Sequence, residues 1–106
     1  MIYNLEQIAV VTYLANYGMQ IAVGDTIANS PWAAASDLER ESYRHGVQFA
    51  LVQNPGGDED LQHAEWMRWR AEHNLPHPSA RPRGELRPQE RDKDGVFLAV
   101  VRRLAQ

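Results

Sequence analysis

With 106 residues, a net charge of −3 and no cysteine, the sequence excludes several classes of protein at once. The length suits one hydrophobic core but not two, and 43% hydrophobic with 24% charged residues is typical of a folded domain. The lack of cysteine excludes a disulfide framework and thiolate metal ligands, and it fits a reducing cytosol. No apolar run approaches the roughly 20 residues of a membrane span, and the first residues do not read as a signal peptide. We therefore expect one cytoplasmic domain with no membrane partner.

The charges are distributed unevenly along the chain. Residues 1–39 contain no Lys or Arg, whereas residues 81–103 contain seven basic and four acidic groups. Ten of the eleven basic residues are Arg, which can bind phosphate or carboxylate through two parallel hydrogen bonds. The isoelectric point of about 5.7 and the interleaved acids nevertheless weigh against a nucleic-acid interface. A salt-bridged, solvated surface is the favoured interpretation, and nucleic acid is not an expected partner.

Capping signals and apolar spacing predict a mainly α fold, a compact four-helix domain. The predicted helices span residues 5–23, 37–53, 59–74 and 88–104. They begin at the capping boxes Asn4–Gln7 and Ser36–Glu39, at the cap Asp58 and at Pro88. The predicted core residues, which share apolar helical faces, are Val11, Ala15, Val47, Leu61, Met67, Phe97 and Val101.

Three features of the chain after the first helix carry further expectations. The third helix is expected to turn the stripe Leu61, Ala64, Met67 and Ala71 inward. Gly46 lies inside the second helix, where glycine is unfavourable, so we expect close packing there against another backbone. The prolines Pro76, Pro78, Pro82 and Pro88 predict a proline-rich extended arm between the third and fourth helices, because each fixes its own backbone angle.

Asn16 and Trp32 each permit two interpretations. A buried Asn16 must hydrogen-bond its amide, either to a neighbouring loop, which is favoured two to one, or to a ligand. Asn29-Ser30-Pro31 predicts a turn before Trp32. That Trp is expected to plug the edge of the core unless other pocket residues converge on it, in which case it could stack a base or a sugar.

The stretch from residue 77 to 94 contains His77-Pro78, Pro82, Glu85-Leu86 and Lys93-Asp94. Earlier matching motifs are Arg40-Glu41-Ser42, Gly46-Val47 with Phe49, and His63 with Trp66. Together they resemble the ryanodine-receptor repeat (RyR) domain in its small stand-alone form from phages and bacteria, over residues 1–106. The sequence departs from that pattern in three ways. Ala64 replaces a Glu, Arg83 replaces an aromatic residue, and the central hairpin segment before His77 is shortened.

The resemblance implies a binding module that takes a small, anionic, nucleotide-like ligand. Its expected function is sequestration of a signal or counter-defence, in the cytoplasm of the host. The ligand-binding positions it implies are Asn16, Trp32, His63, Trp66, His77 and Lys93, and we add Arg81 because Arg can hold a phosphate. We expect Trp66 and His63 at the floor of a pocket, with His77, Arg81 and Lys93 at its polar rim. An equal alternative is structural, in which His77-Pro78, Glu85 and Asp94 lock the arm to the helices by hydrogen bonds.

The sequence gives little reason to expect an enzyme. It has no Gly-x-Ser-x-Gly elbow, no phosphate-binding glycine loop and no His-Glu-x-x-His motif. His73 and His77 are four residues apart, but Pro76 prevents a regular helix between them, so no metal or cofactor is expected. The alternative function is a protein-interaction module that docks on a host protein through the aromatic third helix and the Arg-rich arm. A homodimer is left open.

Overall fold

The computed structural model describes residues 2–24 and 31–106, which form an all-α domain. Its helices are α1 (Leu5–Ala22), α2 (Asp37–Val52), α3 (Glu59–Glu72) and α4 (Pro88–Leu104), with short 3-10 helices at Trp32–Ala34 and Arg83–Glu85. The radius of gyration is 12.9 Å, close to the roughly 13 Å expected of a compact domain of about 100 residues. The prediction of a compact four-helix domain is confirmed. The predicted turn at Asn29-Ser30 lies outside the described residues.

The helices begin where the capping signals predict. The Asn4 side chain accepts from the Gln7 amide at 2.8 Å, and the Asn4 amide donates to Gln7 Oε1 at 2.9 Å, so this capping box is complete. Ser36 accepts from the Glu39 amide at 3.1 Å, but the Glu39 carboxylate lies against Arg70 instead of returning to Ser36. The second capping box is therefore only half formed, because a buried cation attracts the carboxylate more strongly than a neutral amide does.

The apolar core lies between α1, α2 and α4. It consists of Ile8, Ala9, Val47, Ala50, Phe97, Leu98 and Val101. The predictions for Val47, Phe97 and Val101 are confirmed, and Ala15 and Met67 are half-buried. The predictions for Val11 and Leu61 are wrong, since these side chains are 42% and 44% exposed. Apolar residues occur around the whole of α1, so helical spacing alone could not decide which side faces the core.

The inner face of α3 is polar and aromatic, which corrects the predicted stripe of Leu61, Ala64, Met67 and Ala71. The buried residues of this helix are Gln62, His63, Trp69 and Arg70. Gln62, for example, donates to the Gly46 carbonyl at 3.0 Å and accepts from Asn54 at 3.1 Å. Polar groups can be buried when their hydrogen bonds are made within the protein, and here they are.

Gly46 allows a close approach of α4, although not by its backbone. A Cβ atom at this position would lie 3.1 Å from Phe97 Cζ and 3.8 Å from Gln62 Nε2. The expected contact with another backbone is thus a contact with side chains. Any larger residue would press on the Phe97 ring, which belongs to the core.

The connecting segment, residues 73–87, joins α3 to α4 and contains turns and the second 3-10 helix. It is bound to α3 at three points along its length. Arg70 donates to the Leu75 carbonyl at 3.1 Å, the Arg81 carbonyl lies 2.7 Å from His63 Nε2, and Arg83 pairs with Asp60 at 3.0 Å. This part of the chain therefore lies close to the inner side chains of α3. Within the described residues, no helix is long and apolar enough to cross a membrane.

Candidate functional site

A cavity of about 120 Å³ lies where the four helices meet the start of the connecting segment. Five of the seven ligand-binding residues predicted from the sequence line it. They are Asn16 of α1, His63 and Trp66 of α3, His77 of the connecting segment and Lys93 of α4. Residues that are up to 77 positions apart in the sequence thus meet at one place. This convergence makes the cavity the candidate functional site.

Trp32 and Arg81 do not line this cavity. Trp32 is half-buried, packs edge-on against Tyr13 with ring centres 5.3 Å apart, and its carbonyl accepts from Arg40 at 3.2 Å. The guanidinium of Arg81 donates to the carbonyls of Pro78 and Glu85 and reaches Glu90 at 3.3 Å. Trp32 thus occupies the core edge that its plugging interpretation predicts, and Arg81 braces the connecting segment.

His63 joins three parts of the fold through its two ring nitrogens. Nδ1 lies 3.2 Å from Asp94 on α4, and Nε2 lies 2.7 Å from the Arg81 carbonyl. Both partners are acceptors, so the arrangement suits an imidazolium that donates from both nitrogens. Burial favours the neutral ring, but the nearby Asp94 carboxylate and the hydrogen bond to the Arg81 carbonyl outweigh it and raise the pKa of His63 above its ordinary value.

His77 also contacts Trp66, but its surroundings shift its pKa in the opposite direction. Its ring meets the Trp66 ring edge-on at 5.1 Å, and its Nδ1 accepts from the Ser79 amide at 3.0 Å. Burial, together with the positive charges of Arg70 and Lys93, lowers the pKa of His77. The accepting Nδ1 requires the neutral ring with its proton on Nε2. The cavity wall therefore combines His63, whose protonated form is favoured, with His77, whose neutral form is favoured.

Arg70 closes the cavity on the side of α2. It is only 5% exposed, and its guanidinium lies 5.2 Å from the Trp66 ring and 3.3 Å from Glu39 Oε1. A guanidinium over an indole face gains from the negative charge of the ring face. Arg70 thus holds Trp66 in place while its own charge is balanced by Glu39.

A second aromatic group forms the wall beside α2. His45 and Trp69 are stacked with ring centres 6.1 Å apart, and Trp69 stacks on His73 at 3.9 Å. His45 Nε2 lies 2.6 Å from Glu65 Oε2. Hydrogen bonds from Arg68 and then from His45 lower the pKa of Glu65 to about 2. The carboxylate is therefore ionised at neutral pH and is engaged on both sides.

Glu90 anchors the connecting segment to α4 beneath the cavity. It is 7% exposed and accepts from the Ser79 hydroxyl at 2.7 Å and from Arg87 Nε at 2.9 Å. The Ser79 bond, with help from Arg87 and Arg81, lowers the pKa of Glu90 to about 2. The lining as a whole contains four carboxylates and two permanent cations. Each carboxylate pairs with a cation or with an imidazole, so the deep part of the cavity does not attract a free anion.

Asn16 contributes a buried acceptor to the lining. Its side chain is 7% exposed, and its Nδ2 donates to the Tyr43 hydroxyl at 3.1 Å. Its Oδ1 has no hydrogen-bond partner within the part of the chain that the structure describes. Arg83 Nε and Asp94 Oδ2 also make no hydrogen bond there, but they face each other at 3.3 Å as an ion pair. Asn16 Oδ1 has no such compensation.

Several residues of the cavity were not predicted from the sequence. They include Ser42, Tyr43, His45, Gln62, Trp69 and Glu90. One signal was present, because Gln62, Trp66, Trp69 and His73 follow helical spacing and mark a polar and aromatic face of α3. Within residues 2–24 and 31–106, no group of His, Asp and Glu side chains is placed to hold a metal ion.

Comparison with protein-family models, with curated proteins and with solved structures gives no match. The resemblance to the RyR domain therefore stays a prediction. Assignment of a function depends on the geometry of the cavity.

Proposed function

We propose that this chain is a small, non-catalytic binding module, RyR-like and of phage or prophage type, whose cavity takes a nucleotide-like anionic ligand. The observation that carries the proposal is the convergence of Asn16, His63, Trp66, His77 and Lys93 on one aromatic cavity. Sequestration of a nucleotide signal is the use that such a module would serve.

The size of the cavity supports a ligand that enters only in part. A cavity of roughly 150 Å³ in another protein holds a benzene molecule, and drug-sized ligands need about 300 Å³ or more. The 120 Å³ found here therefore suits one flat ring. Trp66 supplies aromatic surface for that ring, and stacking on such a surface is worth about 1–3 kcal/mol for a base.

The charges support a phosphate at the mouth rather than in the depth. The carboxylates of the lining repel a deep anion, whereas Lys93 is half-buried on α4 and has a flexible stem that can reach outward. The proposal also assigns a role to the connecting segment as a proline-rich extended arm that forms one wall through His77 and Ser79. Its three bonds to α3 and its prolines would keep that wall in place without a ligand.

Thermal-shift titration of the full chain with nucleoside monophosphates, nucleoside triphosphates and cyclic dinucleotides tests this proposal. A ligand that binds only the folded state raises the melting temperature, so we expect a selective shift of several degrees that falls as salt rises. Lys93→Gln should reduce the shift. Arg103→Gln removes the same charge from the exposed end of α4, away from the cavity, and should leave the shift unchanged.

Equal shifts for the two charge variants would place the anion elsewhere and overturn the proposed site. If none of the probes causes a shift and a host protein is retained stably by the chain, the protein-interaction module replaces the ligand-binding one. In that alternative function, the arginines of the connecting segment would have to break their ion pairs within the chain in order to bind the partner protein. Arg83, for instance, is already paired with Glu59, Asp60 and Asp94.

A further inference from the structure

Asn16 Oδ1 is a buried acceptor without a donor in the described residues, and it belongs to a residue that lines the cavity. Burying an amide oxygen without a hydrogen bond is unfavourable, and the great majority of buried polar atoms are paired. Asn16 is only 7% exposed, and its Oδ1 has no hydrogen-bond partner in the described parts of the chain. The same residue lines the cavity beside Ser42 and Tyr43. The geometry therefore offers this oxygen to a group that enters the cavity.

The neighbouring tyrosine holds the amide through its nitrogen. Asn16 Nδ2 donates to the Tyr43 hydroxyl at 3.1 Å, which leaves Oδ1 as the polar atom of this amide without a partner in the described residues. Tyr43 is itself held by aromatic contacts, edge-on to Tyr13 at 5.0 Å and tilted against Phe97 at 6.1 Å. The acceptor is thus preorganised, which reduces the entropy lost when a ligand binds.

We propose that Asn16 Oδ1 accepts an N–H hydrogen bond from the edge of the ligand ring. The ring then enters the cavity with an amino or lactam N–H buried against α1, and any charged substituent is directed to the mouth near Lys93. This inference rests on the proposed function, which supplies a ligand that contains a ring. It adds which kind of ring the cavity selects. Heteroaromatic rings with an exocyclic amine or a lactam N–H are accepted. Rings of the same shape with a methyl group in that place are disfavoured.

A bound metal cation is not the better match for this oxygen. The carboxylates of the lining already have cationic or imidazole partners, as Glu39 has in Arg70 and Asp94 has in His63. The described residues contain no cluster of metal-binding side chains. A single neutral amide oxygen is too few ligands for a hard cation, which takes six or more oxygens or retains its water. A neutral donor on a planar ring satisfies the acceptor without disturbing those ion pairs.

The test compares two ring probes of the same shape, 2-aminopyrimidine and 2-methylpyrimidine, on the full chain. Binding is followed by shifts of the amide and side-chain NMR signals as each probe is added. We expect the amino compound to bind about tenfold more tightly or better, because the methyl compound leaves a buried acceptor unpaired. Asn16→Leu removes the oxygen and the nitrogen of the amide at similar side-chain volume, so the preference for the amino compound should disappear. In Asn16→Asp, which keeps an acceptor, it should persist.

Melting temperatures of both variants establish that each is folded under the titration conditions. Equal binding of the two probes by the unmodified chain overturns the inference, as does an undiminished preference in Asn16→Leu. Its failure is distinguishable from failure of the proposed function. If nucleotides bind without any preference for a ring that carries an N–H donor, the proposed function stands and the proposed role of Asn16 is wrong. If amino rings bind through Asn16 but no nucleotide binds, the role of Asn16 stands and the proposed nucleotide-like ligand is wrong.

Discussion

The apolar core and the cavity are built on different principles, although they share Phe97. The core is made of aliphatic side chains from three helices, with Ile8 and Val47 fully buried. The cavity is made mainly of polar and aromatic side chains, and α3 turns His63 and Arg70 inward instead of its aliphatic residues. Burial of charged groups is costly and is a weak source of stability. The core therefore accounts for most of the folding stability, whereas the polar half joins the connecting segment to the helices through hydrogen bonds and ion pairs.

Replacing Phe97, which contacts both regions, should have the largest effect. Phe97 is 9% exposed, belongs to the core cluster and lines the cavity. Phe97→Ala should lower the free energy of unfolding by about 3–5 kcal/mol, since the ring leaves a space that the fixed helices cannot fill. Small domains have about 5–15 kcal/mol in total, so folding itself is at risk. Urea denaturation measures the loss.

Val11→Ala is the matched control, because Val11 was also expected in the core and is 42% exposed. It should cost less than about 0.5 kcal/mol, which is usual for surface positions. Comparable losses in the two variants would mean that the core does not lie between α1, α2 and α4 as described.

The different predictability of the two regions has a physical cause. Capping residues such as Asn4, Asp58 and Pro88 act locally, so the helix ends were predicted within two residues. The inner face of α3 depends on partners far away in sequence. Gln62 is buried because the Gly46 carbonyl is within reach, and a local apolar pattern does not contain that information. Leu61 was assigned to the core because it shares an apolar helical face with Ala64 and Met67, and it is exposed.

Six of the seven site residues were predicted from motif resemblance and Arg81 from its charge, and five of the seven meet at the cavity. Trp32 packs against Tyr13 instead, and Arg81 is bound to the carbonyls of Pro78 and Glu85. Whether the five contact a ligand stays a prediction. The buried acceptor of Asn16 could not be inferred from the sequence, because its unpaired state depends on where Tyr43 places the amide.

The two histidines of the cavity should make stability depend on pH in opposite directions. The pKa of His63 is raised, so its contribution is complete below the ordinary value of about 6.5 and is lost as pH rises through the folded-state pKa. The pKa of His77 is lowered, so stability is lost as pH falls below about 6.5 toward its folded-state pKa. Urea midpoints measured from acid to alkaline pH should therefore pass through a maximum.

Single substitutions show which histidine causes the loss of stability on each side of that maximum. His63→Gln should flatten the alkaline decline, and His77→Gln should flatten the first part of the acid decline. His63 is also close to Arg83 and Asp94, so Asp94→Asn should weaken the alkaline decline as well. The exposed His73 serves as the control position, with His73→Gln expected to retain both sides. An alkaline decline that persists in His63→Gln would exclude the His63 proton as its source.

The smallest effect is expected at Arg81, where the comparison between structural and binding roles is sharpest. From the sequence, Arg81 was expected at the polar rim of the pocket, as a residue that contacts the ligand. The structure gives its 44% exposed side chain two backbone carbonyls and Glu90 as partners. Arg81→Ala should therefore lower the free energy of unfolding by about 1 kcal/mol, since exposed ion pairs and single hydrogen bonds each contribute about that much or less. Arg81→Lys keeps the charge but not the planar donor group, so it should lower the free energy of unfolding by an intermediate amount.

Urea denaturation of the unmodified chain and the two variants measures these losses, and titration with whichever nucleotide raises the melting temperature measures the affinity. Unchanged stability together with about tenfold weaker binding would return Arg81 to the rim and require its guanidinium to exchange Glu90 for the ligand.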